Sequence, residues 1–355
     1  MEVIQILVVI LKVLITGGTG LVGSECCRLF ANHGWKIVSV DNNMRGRLFG
    51  TEGNTNEIID VLTKEYDIEH YNIDIRDKKI IELIKNVDAI IHTASQPSHP
   101  KSIEIPLDDF QINSFGTLFL LESLRKHNIT APFIHCSTNK VYGDVPNYFH
   151  YKVEDKRFEP TDPTLWDGFD ENLRIDNCLH TPFGVSKASA DLYVQEYARL
   201  YGLKTGVFRM GCITGGAAKA VEEHNWESFF IKKALLNEKI RIYGHNGYQV
   251  RDVIDARDLA KLFLLFLKNP RPGEVFNIGG GRKNSISLLE ALDLIESITG
   301  RKMNYINAKE REGDHKWYIS NLGKIKSHYK WDIEIGLKDI FKNIHESLAY
   351  KYERK

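Results

Sequence analysis

An apolar run, Val13-Leu14-Ile15, leads straight into Thr16-Gly17-Gly18-Thr19-Gly20-Leu21-Val22-Gly23. Residue types at this spacing suit a pair of phosphates. Glycines at 17, 20 and 23 let backbone come close to a pyrophosphate. The helix that follows carries the negative charge on its free amides and positive dipole end. Asp41 belongs with this turn. It ends the apolar stretch from Lys36, about twenty residues past the glycines, where a carboxylate accepts hydrogen bonds from an adenosine ribose. The same carboxylate repels a 2′-phosphate, so the pattern implies NAD rather than NADP. Arg45 and Arg47 lie nearby and act against that preference. Farther on, Arg251 lies in Gly247-Tyr248-Gln249-Val250-Arg251-Asp252-Val253, and Arg311 precedes Gly313-Asp314-His315. Guanidinium forks bind phosphate oxygens in a bidentate way that lysine does not, so these two invite a second phosphate-bearing ligand. Structural ion pairs are the alternative.

The elements needed to hold these groups are legible as alternating strands and helices. Strands are expected at Lys36–Asp41, His70–Ile73, Ala89–His92, Phe133–Ser137 and Thr205–Arg209, with a late one at Val275–Gly280. An amphipathic helix is expected over Leu107–Lys126, with Leu118, Leu121 and Leu124 on one side. Another is expected over Gly184–Leu200, ended by Gly202. Such alternation implies an α/β fold, a doubly wound parallel (Rossmann) sheet with right-handed crossovers. The chain past Arg209 looks different from this alternation. The segment Asp144–Thr181 breaks the pattern, and loops that long inside a compact domain are usually functional.

Composition narrows the partners. The 355 residues carry 47 basic and 47 acidic side chains and no basic tail, which argues against nucleic acid. Five scattered cysteines without metal spacing suit a reducing cytoplasm and leave no metal site to expect. Residues 1–11 read as an extension ahead of the domain. Their apolar stretch is too short to span a bilayer, so no membrane association is expected.

Several motifs together resemble the extended short-chain dehydrogenase/reductase superfamily. They are Gly17-x-x-Gly20-x-x-Gly23, Asp41-Asn42, Asp74-Ile75, Asn113-x-x-Gly116-Thr117, Ser137-Thr138-x-x-Val141-Tyr142-Gly143, Ser186-Lys187 and Arg251-Asp252. Ser137-Thr138-Asn139-Lys140-Val141-Tyr142-Gly143-Asp144, Gln96-Pro97-Ser98-His99, Gly168-Phe169-Asp170-Glu171 and Arg311-x-Gly313-Asp314-His315 are similar, within it, to the CDP-paratose (CDP-tyvelose) 2-epimerase group. The resemblance implies NAD bound by Gly17, Gly20, Leu21, Val22, Gly23, Asp41, Asn42, Asp74, Ile75, Thr93, Ala94, Gln96, Asn113, Lys187 and Met210. It implies a smaller C-terminal α/β substrate lobe, with the NAD-binding domain at 12–209 plus 249–284 and the lobe at 210–248 plus 285–355, and a nucleotide-sugar held by Thr138, Asn139, Cys212, Arg251 and Arg311. It also implies a homodimer or homotetramer, with helices 107–126 and 184–200 pairing between subunits.

Two departures bear on the chemistry. The superfamily's Tyr-x-x-x-Lys pair handles the sugar hydroxyl proton, but here the segment is Phe183-Gly184-Val185-Ser186-Lys187. Phe183 has no proton to trade, whereas Lys187 can still bind the nicotinamide ribose. Asn139 and Lys140 stand where the dehydratases carry Asp and Glu, so water elimination is not expected. Thr138 keeps the hydroxyl that bonds the reacting oxygen. Lys140, neutralised by burial and like charge, could be the missing base. His180 and Cys212 are the other candidates, and Phe229, Phe230 and Tyr243 could pack the nucleobase. The expected activity is C2 epimerisation of a CDP-hexose through a transient 2-keto sugar. Epimerisation at another carbon, or of a UDP- or GDP-sugar, stays open. So does a binding protein that lost turnover with its tyrosine.

Overall fold

The computed structural model describes residues 10–222 and 225–352. Residues 1–9 of the expected N-terminal extension lie outside the described residues. Seven parallel strands form the main sheet. Their order is Glu274–Ile278, Thr205–Met210, Phe133–Thr138, Ala89–His92, Lys12–Thr16, Lys36–Val40 and Ile68–Tyr71. The order reverses between Lys12–Thr16 and Ala89–His92, and a crevice opens there at the carboxyl ends of the strands. These strands are near-continuous apolar runs because helices cover both faces; Val13, Leu14 and Ile15 have no exposed surface. One face packs Leu21–Asn32 and Ala256–Lys268. The other packs Gly116–Lys126 and Pro182–Tyr201.

Every expected strand is present within a few residues of its expected ends. The expected helix 107–126 is helical throughout but passes through a π-type turn at Gln111–Phe115. The helix expected from Gly184 starts at Pro182, whose missing N–H costs nothing at a first position, and Gly202 ends it at φ 71°. The segment Asp144–Thr181 is more ordered than its composition suggests. It contains an antiparallel hairpin, Tyr151–Glu154 with Arg157–Pro160. The hairpin's first strand is mostly solvent-exposed, so burial left no alternation to read.

The second lobe has its own small sheets. Val250–Asp255 pairs with Cys212–Thr214, Ser285–Ser287 and Trp317–Tyr318. That strand lies inside the stretch 249–284 expected in the NAD-binding domain. In the other direction, Leu322, Ile325, Trp331 and Ile333 of the expected lobe pack into the core of the main sheet. The lobe's core forms around Phe230, Ile231, Ile242, Ala291, Ile295 and Phe341. No helix among the described residues is long and apolar enough to cross a membrane.

Candidate active site

A cleft of about 490 Å³ runs from the carboxyl ends of the sheet strands into the second lobe. The glycine turn forms its floor. Gly17 adopts φ +70°, and a Cβ there would lie 2.7 Å from the Ala94 amide nitrogen. A Cβ on Gly23 would lie 2.1 Å from the Gly17 carbonyl oxygen. Gly20 is different, since a Cβ would meet only that same oxygen at 3.1 Å and otherwise open space. Gly17 and Gly23 are therefore required for backbone packing, and Gly20 keeps a surface clear. The helix Leu21–Asn32 starts here with no side-chain cap and no acid in its first turn, which leaves its amides to an anion.

Asp41 stands at the end of the next strand. Its carboxylate accepts from the Thr19 and Asn43 amides at 3.2 and 2.7 Å. Asn42 donates to Asp74 at 3.0 Å, and Arg76 grips Asp74 through two bonds of 2.7 and 2.8 Å. Those bonds hold the Asp74 carboxyl below its ordinary value. Ile75, Thr93, Ala94, Leu21, Val22 and Met210 complete this end. The set fits a dinucleotide: uncapped amides for the pyrophosphate, a carboxylate for a ribose, apolar walls for the rings.

Four residues named from the sequence do not line the cleft. Gly23 is packed behind the turn. Gln96 is fully buried, donating to Ser98 O and Asp109 at 2.8 Å each and receiving the Ser98 amide. Asn113 accepts the Gln96 amide at 2.9 Å and donates to Asp109 and Ser186. Both lie behind the cleft wall and do not line it. His180 is turned onto the Val141 carbonyl, 2.9 Å from Nε2, and is pressed between Gly143 and Gly184.

At the middle of the cleft the turn Asn139–Tyr142 abuts the start of the helix Pro182–Tyr201. Thr138, Asn139, Lys140, Phe183 and Lys187 all face the cavity. Lys187 donates from Nζ to Cys136 O at 2.6 Å, and burial lowers its pKa to about 8. At the far end Arg251 pairs with Asp314 at 2.6 Å. Arg311 lies 3.8 Å over the Tyr243 ring, and no carboxylate pairs with it among the described residues. One arginine is thus an ion-pair partner and the other is free for an anion.

A protein-family model described as "NAD dependent epimerase/dehydratase family" matches residues 13–279. The chain belongs to this family. CDP-paratose 2-epimerase of Salmonella typhi is 36% identical over 339 residues, covering 93% of this chain and 96% of that one. A UDP-glucose 4-epimerase of Thermotoga maritima, solved with UDP-glucose, superposes with a TM-score of 0.76. It is 25% identical and covers 96% of this chain and 99% of its own. A UDP-glucuronic acid 4-epimerase of Bacillus cereus gives 0.82 at 22% identity, covering 96% and 100%, and shows the shared fold. As a family member the protein is an enzyme, and NAD is its cofactor.

In this NAD-dependent epimerase/dehydratase family member, Phe183 stands where the resemblance sets a tyrosine. Phe183 is buried, its ring edge-on to His99 with centroids 6.4 Å apart. His99 lines the cleft but is a poor base, because burial and the Lys140 charge push its pKa down to about 3. Cys212 also lines the cleft, with its thiol pushed up to about 12 by burial and the Glu227 carboxyl. Lys140 donates to Gly313 O at 3.0 Å and lies 3.9 Å from Asp314. Burial lowers its pKa to about 8 and outweighs Asp314, which pulls the other way. Glu227 also lines the cleft, and sequence reasoning did not single it out.

Proposed function

We propose that the protein inverts C2 of a CDP-linked hexose, with Lys140 carrying the proton that a tyrosine carries elsewhere in the superfamily. The observation that carries this reading is Lys140, which lines the cleft with Thr138 and Phe183 and whose amine, bonded to Gly313 O, has a pKa of about 8. The 36% identity to a CDP-paratose 2-epimerase supports the choice of carbon and nucleotide. A hexose C2–H is not acidic, so inversion passes through a 2-keto sugar; bound NAD supplies the hydride acceptor for that oxidation and the donor for its reversal. Gly20, the amides at Leu21–Val22, Asp41 and Lys187 would hold NAD. Thr138 bonds the reacting oxygen. Neutral Lys140 takes the hydroxyl proton and returns it after the sugar turns its other face. Arg311 and Arg251 keep the diphosphate anchored during that turn.

Lys140→Met tests the assignment. General-base catalysis is typically worth about 10²–10⁴-fold. Turnover of a CDP-hexose, read by hydrogen scrambling at C2, should fall within that range while the melting temperature and NAD affinity hold. In the unaltered enzyme kcat/KM should rise with pH and level off above about 8, because the amine must lose its proton before it can accept one. Full activity in Lys140→Met removes the lysine from the mechanism.

The assembly proposed is a homodimer or homotetramer. Leu107, Phe110 and Phe115 are exposed on one helical segment, and Val185, Leu192 and Leu200 on the other. Sedimentation equilibrium reads the state directly. The free thiols suit the reducing cytoplasm as its location.

A further inference from the structure

The lobe end of the cleft contains a polar group that neither proton transfer nor phosphate binding uses. Glu227 sits in the first turn of the helix Trp226–Leu235. It is 1% exposed and lines the cleft, and its Oε1 has no hydrogen-bond partner among the described residues. Burial raises its pKa to about 8, against a smaller lowering by a backbone hydrogen bond. A buried polar atom without a partner destabilises a fold. Placed at a cleft wall, it points to a bound group that supplies the partner.

The surroundings narrow that group. The same helix presents Trp226, Phe229 and Phe230 to the cleft, and Tyr243 stands in the wall beneath Arg311. Flat aromatic faces suit a planar ring. Gln249 adds a second unsatisfied atom. Its Nε2 donates to Tyr243 O at 3.0 Å, while its buried Oε1 has no partner among the described residues. Aromatic faces with hydrogen-bonding groups at their margin form a site for a nucleobase. Arg311, stacked on Tyr243, ties this wall to the diphosphate end of the ligand.

We propose that Glu227 binds the edge of a pyrimidine base formed by N3 and the 4-substituent. This rests on the reading of the ligand as a nucleotide-sugar. A neutral carboxyl offers one O–H donor and one carbonyl acceptor. Cytosine presents the complement, with an acceptor at N3 and a donor at its 4-amino group.

Calorimetry on the NAD-loaded protein tests this with two probes, CDP and the diphosphate of 2-pyrimidinone riboside, which lacks the 4-amino group. The unaltered protein should bind CDP about tenfold more tightly, a difference of one hydrogen bond. Glu227→Gln should keep most of that ratio, since an amide also offers a donor and an acceptor. Glu227→Val should bind both probes alike. Equal ratios in all three proteins overturn the proposal and make Glu227 a structural carboxyl. A third probe, 2′-deoxy-CDP, covers the ribose. If the valine variant loses discrimination against this probe but still separates the first two, the carboxyl holds a ribose hydroxyl and the proposal is wrong. Failure of the unaltered protein to bind CDP, UDP or GDP would be a different failure, that of the nucleotide-sugar reading itself, and shows before any variant is made.

Discussion

The two ends of the cleft are built in different ways. The cofactor end is made from strand ends and the turns that follow them, and its main pieces are local: residues 17–23, 41–42, 74–75 and 93–94. The substrate end gathers short pieces from distant parts of the chain, among them 138–140, 183–187, 226–230, 243–251 and 311–314. At the first end, backbone geometry does most of the positioning. At the second, side chains do, through ion pairs and ring contacts such as Arg251 with Asp314 and Arg311 over Tyr243. Damage at the cofactor end should therefore act through backbone clashes and spread. Damage at the substrate end should stay local and graded.

The largest effect expected is at Gly23. A Cβ there would lie 2.1 Å from a backbone oxygen and 2.9 Å from Gly18 Cα, so the turn itself must move. Gly23→Ala should abolish NAD binding and lower the melting temperature, as overpacking by about 1–3 kcal/mol does. Gly20→Ala is the control that sharpens the contrast. Its methyl meets only the Gly17 oxygen at 3.1 Å, so stability should hold while NAD affinity falls. Differential scanning fluorimetry and titration with NAD read both. Equal destabilisation by the two variants would break the distinction between packing and binding glycines.

The arginines come next. Charge-assisted hydrogen bonds contribute about 1.5–3 kcal/mol, so Arg311→Ala should weaken CDP binding about 10–150-fold and leave NAD affinity unchanged. Arg251→Ala should weaken it too, with an added loss of stability. The Arg251 charge helps to hold the Asp314 carboxyl far below its ordinary range, and the change would deprive that half-buried group of its guanidinium partner. Calorimetry with CDP, beside a melting curve for each variant, separates the two. Unchanged CDP affinity in both variants would make the arginines structural.

The same contrast explains what could be read from the sequence. The sheet was legible because its strands are buried on both faces and appear as unbroken apolar runs. The glycine turn was legible because close backbone approach permits few other residues. The substrate end was legible only in part. Arg251 and Arg311 stood out by residue type, and Lys140 by its departure from a family pattern. Glu227 did not, since an acid in the first turn of a helix usually faces water and caps the dipole. Its burial comes from the packing of the helix Trp226–Leu235 on Leu337–Tyr352, which local pattern does not reveal. Gln96 and Asn113 lie one layer behind the cleft wall. Proximity to the cofactor turn does not separate a ligand contact from the residue bracing it through Asp109.

The smallest effect expected is at His180, and it tests the comparison from the other side. From the sequence, a titratable ring three residues before Phe183 was a candidate for the missing proton carrier. In the fold its Nε2 is 2.9 Å from the Val141 carbonyl, and it fills the space between Gly143 and Gly184. It therefore supports the turn that carries Lys140 without reaching the cavity. His180→Gln keeps a donor for that carbonyl and should change kcat by less than about twofold. His180→Ala leaves both a gap and an unpaired carbonyl, which costs about 1–3 kcal/mol. That should lower the melting temperature while kcat at 25 °C, measured on folded protein, stays close to normal. A large fall in kcat for His180→Gln, with stability intact, would bring the histidine back into the proton path and displace Lys140 from it.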